Sequence, residues 1–340
     1  MTKKNSGWLR RARQRIEYVV LRSLGRVVAA LPEASAAQVG RGMGRLAWTL
    51  SPRRRHRALR NVERALGSDL THGEAQRLAK NGFQSFGLTV AEILWADRNL
   101  TPDDLEDRCP LEGADRLERA LATGRGALLV SMHLGNWELF GARLARRFGG
   151  LTALARPAKN PYVARRIHAI REQMGIRLIS TADGLRPVIR ALRGGELVGI
   201  LIDQHVRRSA TAARFFGHPA STTAVAPSLA LRLDVPVFLG WTARQGGAFR
   251  HRGWIEGPVE LPRTGDQEAD VRAGTQLLND LLEEKIRAVP EQWHWHDRRW
   301  KLAERLERRA EADNGGTDAG QPAPGTPRQT MQNVSSHAEG

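Results

Sequence analysis

The chain has 340 residues, enough for one large domain or two small ones, and 41% of them are hydrophobic, as in ordinary soluble globular proteins. Its 53 lysines and arginines against 36 aspartates and glutamates give a net charge of +17, which favours an anionic partner: nucleic acid, acidic lipid or a phosphorylated substrate. The single cysteine, Cys109, excludes an intrachain disulfide and a cysteine-based metal cluster, and its loop context favours an inert thiol over a nucleophile.

The amino-terminal region is polar and basic. Residues 1–60 hold 15 lysines and arginines but only 2 acidic residues, so most of the charge excess lies there. No apolar core with a cleavage site follows the first residues, and no window of about 18 residues is nearly free of charge. The sequence therefore predicts neither a signal peptide nor a transmembrane helix.

Residues 8–31 give the clearest helical pattern. Apolar side chains recur at three- and four-residue steps from Trp8 to Leu31, arginines fill much of the remaining surface, and Pro32 ends the helix. A basic amphipathic helix of this kind lies in a membrane interface beside anionic lipid. The alternative is a helix packed on the domain with a solvated basic face.

Two further helices are predicted over residues 35–50 and 73–96. Between them, Ser51 to Arg57 form a dense basic block at the start of another helix, for which nucleic-acid binding is the rival interpretation. The chain shows no helix-turn-helix spacing, zinc-finger pattern or RNA-recognition motif, so no nucleic-acid partner is expected.

From about residue 112 the pattern alternates between helix and strand, which predicts an α/β fold with a mostly parallel sheet flanked by helices. We expect a helical, basic, amphipathic membrane-associating region at 1–100, an α/β domain at 101–312 and a disordered tail at 313–340, where periodicity is lost. The predicted strands are 127–130, 151–155, 177–179, 197–202, 235–240 and 249–255; the predicted helices are 114–122, 137–147, 162–174, 183–193, 222–233 and 266–288.

The most informative stretch is residues 126–138. An apolar run predicts a buried strand that stops before His133, and Gly135-Asn136 suits a turn before the next helix. His133 is therefore expected at the carboxyl end of a strand, where open α/β sheets bind ligands. Glu138 could meet His133 from the first helical turn, fix its tautomer and make it a better base. The alternative is a structural histidine near a surface glutamate.

Arg156 and Asp203 also close predicted strands, and Gln204 follows directly. If these strands are parallel, His133, Arg156 and Asp203 converge on one edge of the sheet. Arg156 could hold a phosphate or carboxylate, and Arg171 on helix 162–174 could do the same or pair with a glutamate.

Residues 290–301 contain three tryptophans and two histidines. His294 and His296 would share a face on a strand, but no complete set of metal ligands with standard spacing accompanies them. We expect a tryptophan-rich packing segment beside the cleft and no metal.

Several of these segments resemble a known family. The run His133 to Glu138 looks like the His-x4-acid motif of glycerolipid-type acyltransferases, and its Gly-Asn-Trp-Glu form is closest to the late lipid A acyltransferases, which add lauroyl or myristoyl chains. Actinobacterial phosphatidylinositol mannoside acyltransferases resemble the same motifs. The likeness covers roughly residues 8–305, and its further motifs, in chain order, are Arg156-Pro157-x-x-Asn160-Pro161, Arg171-x-x-x-Gly175, Asp203-Gln204, Phe216 to Thr222, Pro290 to Trp293 and Arg299-Trp300-Lys301.

The resemblance implies direct acyl transfer from a thioester to a hydroxyl of a membrane glycolipid at the cytoplasmic face of the inner membrane. The donor would be acyl carrier protein or acyl-CoA, and no cofactor or metal would be needed. His133 would be the general base and Glu138 would orient it. Arg156 or backbone N–H groups would steady the oxyanion or bind donor phosphate, and Arg171 and Asp203 would shape the site. Asn160 and Gln204 are the remaining expected substrate-binding residues.

Two alternatives stay open. A covalent route through Ser131 is one, although a strand would have to bend to join Ser131 to His133. A non-catalytic basic protein that binds nucleic acid or acidic membrane is the other; it explains the charge but not why His, Arg and Asp finish successive strands.

Overall fold

Four helices form the amino-terminal part of the chain: α1 (Lys3–Ala30), α2 (Glu33–Leu50), α3 (Pro52–Leu66) and α4 (His72–Asn99). The structure, a computed structural model, describes residues 3–101, 103–207, 210–247 and 249–315. Local sequence explains the helix starts, since Pro52 opens α3 and a reciprocal Thr71–Glu74 capping box opens α4. Helices α2 and α4 cross closely because Gly44 has no side chain: a Cβ on it would lie 2.3 Å from the Phe83 carbonyl oxygen.

The remaining described chain alternates strands and helices around one sheet. The described chain divides into two units, of which the first ends at Leu302 and the second begins at Ala303. The strands are β1 (Leu111–Glu112), β2 (Ala127–Ser131), β3 (Leu151–Ala155), β4 (Ile176–Ser180), β5 (Leu197–Leu201), β6 (Ala210–Phe215), β7 (His218–Thr223), β8 (Val237–Arg244) and β9 (His251–Glu256). The helices are α5 (Asp104–Arg108), α6 (Ala114–Ala122), α7 (Trp137–Arg147), α8 (Pro161–Gln173), α9 (Arg186–Arg193), α10 (Val225–Leu233), α11 (Gln267–Ala288) and α12 (Lys301–Gly315).

Seven strands make the main sheet in the order β1-β9-β8-β2-β5-β3-β4, and β6 and β7 form a separate hairpin. All neighbouring pairs in the main sheet are parallel except β8 with β9. The central strand β2 is buried along its whole length, which is why its sequence is a continuous apolar run rather than an alternating one. Burial of Leu129, Phe140, Leu144 and Phe238 on the faces of this sheet forms its core.

The α/β fold with a mostly parallel sheet is confirmed, and every predicted strand has a counterpart. Strand β1, helices α5 and α12 and the β6–β7 hairpin were not predicted. Strand β6 alternates exposed and half-buried residues and contains three alanines, so it carries little of the apolar signal that marks a strand. The domain boundaries stay a prediction. Most of the predicted tail, from residue 316 onward, lies outside the described residues, and α12 extends to Gly315.

Within the described ranges, no helix has the length and apolar character needed to cross a membrane. Cys109 is buried in the core, and burial raises the pKa of its thiol to about 11. At neutral pH this group is therefore a protonated thiol, as expected of an inert packing residue.

Candidate active site

The loop that follows β2 brings His133 to the carboxyl edge of the sheet. Gly135 lies in this loop with φ +58°, and a Cβ on it would meet the Thr242 carbonyl oxygen at 2.5 Å, so the turn requires glycine. The Asn136 side chain then caps α7 by accepting a hydrogen bond from the Leu139 N–H at 3.1 Å. His133 thus lies between a buried strand and a capped helix start, as predicted.

Asp203 holds the imidazole of His133. The register of the parallel strands pairs Ser131 with Leu201, so the residues two positions beyond each strand, His133 and Asp203, come level with one another. His133 Nδ1 lies 2.8 Å from Asp203 Oδ1, and the His133 backbone N–H donates to Asp203 Oδ2 at 2.9 Å. The indole N–H of Trp293 donates to the same Oδ2 at 2.9 Å.

These contacts set the protonation of the pair. Burial lowers the pKa of His133, but the adjacent Asp203 carboxylate outweighs it, so the pKa of His133 rises above its ordinary value. Burial likewise raises the pKa of Asp203, and the interactions with His133 and Trp293 reverse that effect, so the net pKa is lowered. Asp203 is therefore a carboxylate, and it selects the tautomer of neutral His133 that carries its proton on Nδ1.

The other imidazole nitrogen, Nε2, carries no proton in this tautomer and can act as a base. The side-chain amide of Gln204 donates to it across 3.3 Å, and the His133 side chain keeps 18% of its surface exposed. The Trp137 ring packs edge-on against His133 with the ring centroids 4.8 Å apart. A hydroxyl that displaced the Gln204 amide would meet the lone pair of Nε2.

Glu138 does not orient His133, and this part of the prediction is wrong. Glu138 instead pairs with Arg171, whose Nε donates to Glu138 Oε2 at 2.8 Å while a second guanidinium nitrogen contacts Oε1. The turn at Gly135 places Glu138 on the first turn of α7, facing α8, whereas the neighbouring strand β5 delivers Asp203 directly to the imidazole. The Glu138 carboxylate still contributes, since its charge helps to raise the pKa of His133.

A cavity of about 300 Å³ opens beside these groups. Its lining includes the polar residues His133, Glu138, Arg171 and Gln204 and the exposed Arg156. The rest of the wall is mostly apolar and includes Leu129, Phe140, Gly141, Leu144, Leu151, Leu154, Ile176 and Leu201. His133 and Arg156 therefore line the same cavity, Asp203 contacts His133, and a mostly apolar wall adjoins these residues.

Asn160 lies elsewhere. Its side chain caps α8 by accepting from the Tyr162 N–H at 3.0 Å, and its amide donates to the Gln14 carbonyl oxygen of α1 at 2.8 Å. Asn160 is not among the residues that line the cavity. The Asn160 side chain ties α1 to the start of α8, four residues after Arg156. The contact of Asn160 with substrate stays a prediction.

The tryptophan-rich segment packs beside the site, as expected. The backbone of Trp293 pairs with that of Leu134, and the His294 ring lies 5.9 Å from the His133 ring, centroid to centroid. His294 Nε2 and His296 Nε2 are 2.6 Å apart, so one donates a hydrogen bond to the other. Burial lowers the pKa of His294 well below its ordinary range and, together with Arg54 and Arg57, lowers the pKa of His296 to about 3. Both rings are neutral at physiological pH.

A buried glutamate that the sequence did not single out holds the loop in place. Glu92 of α4 is fully buried, and its carboxylate accepts from Asn136 Nδ2 at 2.8 Å and from Arg244 Nε at 2.7 Å. Thr89, one turn earlier, donates to the Gly135 carbonyl oxygen at 2.9 Å. Burial raises the pKa of Glu92, but Arg244 and His251 outweigh it, so the net pKa is lowered and the group is ionised.

A family model described as bacterial lipid A biosynthesis acyltransferase matches residues 4–302. The chain belongs to this acyltransferase family. The match includes the four amino-terminal helices, the whole sheet and the tryptophan-rich segment.

The relatives of this family member carry two kinds of names. A phosphatidylinositol mannoside acyltransferase of Mycobacterium tuberculosis (strain CDC 1551 / Oshkosh) is 30% identical over 194 residues, 55% of this chain and 58% of the relative. One of the same name from Mycolicibacterium smegmatis is 27% identical over 297 residues, covering 84% and 91% of the two chains. The lipid A biosynthesis palmitoleoyltransferase of Escherichia coli (strain K12) is 26% identical over 282 residues, covering 80% and 86%. The match to the Mycobacterium tuberculosis relative thus spans little more than half of that protein.

In this acyltransferase family member, sequence reasoning identified the polar residues of the cavity but missed two supporting ones. The sequence places Trp293 in a packing segment and in a family motif, but it does not indicate that the Trp293 indole N–H would donate to Asp203 Oδ2, which lies 2.9 Å away. Glu92 gave no signal, because a single glutamate in an amphipathic helix is ordinarily an exposed residue.

Proposed function

We propose that the protein transfers a fatty acyl chain from a thioester to a hydroxyl of a membrane glycolipid, with His133 as the general base. The observation that carries this proposal is the hydrogen bond from His133 to the buried Asp203 at the mouth of an apolar cavity. An imidazole held by a carboxylate through Nδ1 presents a basic Nε2 to a hydroxyl. The mostly apolar wall of the cavity beside His133 suits a hydrocarbon chain.

The reaction follows from these groups. His133 Nε2 takes the proton of the acceptor hydroxyl as its oxygen attacks the thioester carbonyl carbon, and Asp203 stabilises the imidazolium that forms. The resulting tetrahedral oxyanion needs hydrogen-bond donors, and the Gln204 amide and the Arg156 guanidinium, which both belong to residues that line the cavity, are the candidates for this role. Collapse of the oxyanion breaks the carbon–sulfur bond, and the thiolate leaves with the proton from His133. The products are an ester and a free thiol.

Glu138 and Arg171 have a supporting role in this scheme. Their two-point ion pair joins the first turn of α7 to α8, so it fixes the two walls of the cavity relative to each other. Within it, Arg171 keeps its charge at the cavity, where it can also attract a donor phosphate.

The apolar part of the cavity fits a hydrocarbon tail. The whole cavity, including its polar lining, has a volume of about 300 Å³, about ten times the roughly 30 Å³ that a water molecule occupies in the liquid. Each buried methylene contributes about 0.8 kcal/mol, so even half of a fatty chain held there would bind firmly.

We propose that α1 brings this site to the cytoplasmic face of the inner membrane. Six exposed apolar residues of its described part, Trp8, Leu9, Ile16, Val19, Val20 and Val27, fall within roughly one third of the helix circumference at ~3.6 residues per turn. The exposed Leu21 lies outside this stripe. Arginines flank this stripe, as in helices that lie in the interface of anionic bilayers. The contact of Asn160 with α1 keeps the helix near the start of α8, and therefore near Arg156.

The acceptor we propose is a lipid A precursor, because the matching family model carries that description. Phosphatidylinositol mannoside is the second candidate, since relatives of that name are 27% to 30% identical. Both present sugar hydroxyls on a membrane-anchored lipid, so the same catalytic geometry would serve either.

The test is product analysis with purified protein. Lauroyl thioesters of carrier protein and of CoA are incubated with vesicles that contain either a lipid A precursor or phosphatidylinositol mannoside, and the lipids are analysed by mass spectrometry. We expect one glycolipid to gain one acyl chain with release of an equal amount of thiol. Absence of any acylated lipid and of any thiol release, with binding to acidic vesicles or to nucleic acid retained, would favour the non-catalytic binding protein instead.

A further inference from the structure

The basic block at the start of α3 has no part in the reaction described so far. Helix α3 contains six arginines and one glutamate. Arg53, Arg54, Arg55, His56 and Arg60 are exposed. A single-sign surface of this density destabilises the fold by self-repulsion, so a binding role gives a reason for it.

This basic face borders the catalytic region. Arg57 donates to the backbone carbonyl oxygen of His296 at 3.2 Å. The positive charge of Arg54 helps to lower the pKa of both His294 and His296. The His294 ring in turn lies 5.9 Å from that of His133. The start of α3 is therefore separated from the general base by the two neutral histidine rings.

The character of the face selects among anionic partners. The large apolar side chains that α1 exposes make it suited to a bilayer, whereas the described part of α3 exposes none. A free nucleotide would need a concave site with converging donors. Arg53, Arg54 and Arg55 are exposed in the first turn of α3, and none of them lines any of the four cavities found among the described residues. A convex basic face is suited to an acidic protein surface, where complementary charge raises the rate of encounter.

Two leucines complete the surface. Leu46 and Leu50 lie one turn apart at the end of α2, directly before α3, and are 58% and 69% exposed. Apolar anchors within a charged rim are the usual composition of a transient protein interface. Together with Arg53, Arg54 and Arg55 they form what we call the α2–α3 patch.

We propose that the α2–α3 patch docks an acidic carrier protein that presents the fatty chain as a thioester beside His133. This inference rests on the proposed acyl transfer and assigns to the α2–α3 patch the docking of the carrier form of the donor. The carrier would bind through carboxylates against the arginines of α3, with its apolar contact on Leu46 and Leu50.

The test reverses charge in the patch and leaves the catalytic groups untouched. The variant is Arg53→Glu/Arg54→Glu. The matched control is Arg190→Glu/Arg193→Glu, which makes the same charge change on exposed residues of α9, at the end of the helix that leads into the start of β5. Initial rates are measured with a lauroyl carrier protein and with lauroyl-CoA. Binding of the carrier protein and of phosphatidylglycerol vesicles is measured separately.

We expect KM for the acyl carrier protein to rise by about tenfold in the patch variant, with kcat little changed and KM for lauroyl-CoA within about threefold, because rim charges act mainly on association. Carrier binding should weaken in parallel and lose its dependence on salt, and the control should match the parent protein. Equal increases in KM for both donors, or a loss of vesicle binding with carrier affinity unchanged, would overturn the proposal.

The binding measurement separates this proposal from the proposed function. A parent protein that transfers from no thioester, yet binds the carrier through Arg53 and Arg54, would refute acyl transfer and retain the docking surface. A parent protein that transfers from lauroyl-CoA but does not bind the carrier protein would refute the docking surface and retain acyl transfer.

Discussion

Replacing Asp203 with asparagine isolates the feature on which the proposed catalysis depends. Asp203 accepts three hydrogen bonds, from His133 Nδ1 through Oδ1 and from the His133 backbone and Trp293 through Oδ2. An asparagine that keeps its oxygen at the Oδ2 position retains two of them. Its NH₂ group then faces His133 Nδ1, which must become an acceptor, so the ring proton moves to Nε2 and the base is lost.

The size of the effect follows from this tautomer change. We expect kcat of Asp203→Asn to fall about 10³- to 10⁴-fold, because the histidine of a carboxylate–histidine pair would then hold its proton on the wrong nitrogen. This decrease corresponds to a loss of about 4–5.5 kcal/mol of transition-state stabilisation. The cost in folding stability should be smaller, about 1–3 kcal/mol, because one buried hydrogen bond changes.

The pH dependence gives an independent check. Only neutral His133 can accept a proton, so the rate rises as pH increases through the pKa of His133. The Asp203 carboxylate raises that pKa, and its removal should move this limb of the profile to lower pH. The assay is the initial rate of thiol release from a saturating acyl thioester between pH 5 and 9 (roughly, the range around the ordinary histidine pKa of about 6.5). A folded Asp203→Asn variant with the parent rate and an unmoved limb would refute the assignment of Asp203.

Three other substitutions test the loop, the nucleophile and the cavity. Gly135→Ala should lower the free energy of unfolding by about 2–3 kcal/mol, because a positive φ is combined with a Cβ 2.5 Å from the Thr242 carbonyl oxygen. Gly184→Ala is the control, since Gly184 has φ +73° but open space around its Cβ. Equal decreases in the unfolding temperature of the two variants would contradict the argument. Ser131→Ala should keep kcat within about threefold of the parent if no acyl-serine forms, whereas a loss of several orders of magnitude, with an acyl-serine trapped in the parent, would support the covalent route. Gly141→Val should project into the cavity from its apolar wall and exclude about two methylenes of the acyl chain. At about 0.8 kcal/mol per methylene, the ratio of kcat/KM for a long chain to kcat/KM for a chain two carbons shorter should fall roughly tenfold. An unchanged ratio would show that the chain lies elsewhere.

The sequence was sufficient to place the polar residues but not to pair them. The ends of parallel strands meet at one edge, so His133, Arg156 and Asp203 were expected together and line or adjoin one cavity. Their pairing depends on strand order, because β5 lies next to β2 while β3 lies one strand further away. A single sequence does not contain that order, and its local spacing therefore favours Glu138 as the partner of His133.

Longer-range contacts explain the other differences. Glu92 lies 44 residues before Asn136 in the chain, and only the packing of α4 against the loop makes it a buried ion that holds the cap of α7. Asn160 follows Arg156 closely in sequence, but the rise of α8 turns its side chain toward α1 instead of the cavity. Local patterns report the ends of elements well, and they do not report which distant element will supply a hydrogen-bond partner.

The most direct test of the central claim compares purified His133→Ala with the parent protein in a single assay of acyl transfer from a lauroyl thioester to a glycolipid in vesicles. With its base removed, the variant should lose at least about 10³-fold in kcat, while its circular dichroism spectrum, thermal unfolding midpoint and vesicle binding match those of the parent. A folded, vesicle-bound His133→Ala protein that acylates the glycolipid at the parent rate would contradict the claim that this imidazole activates the acceptor hydroxyl.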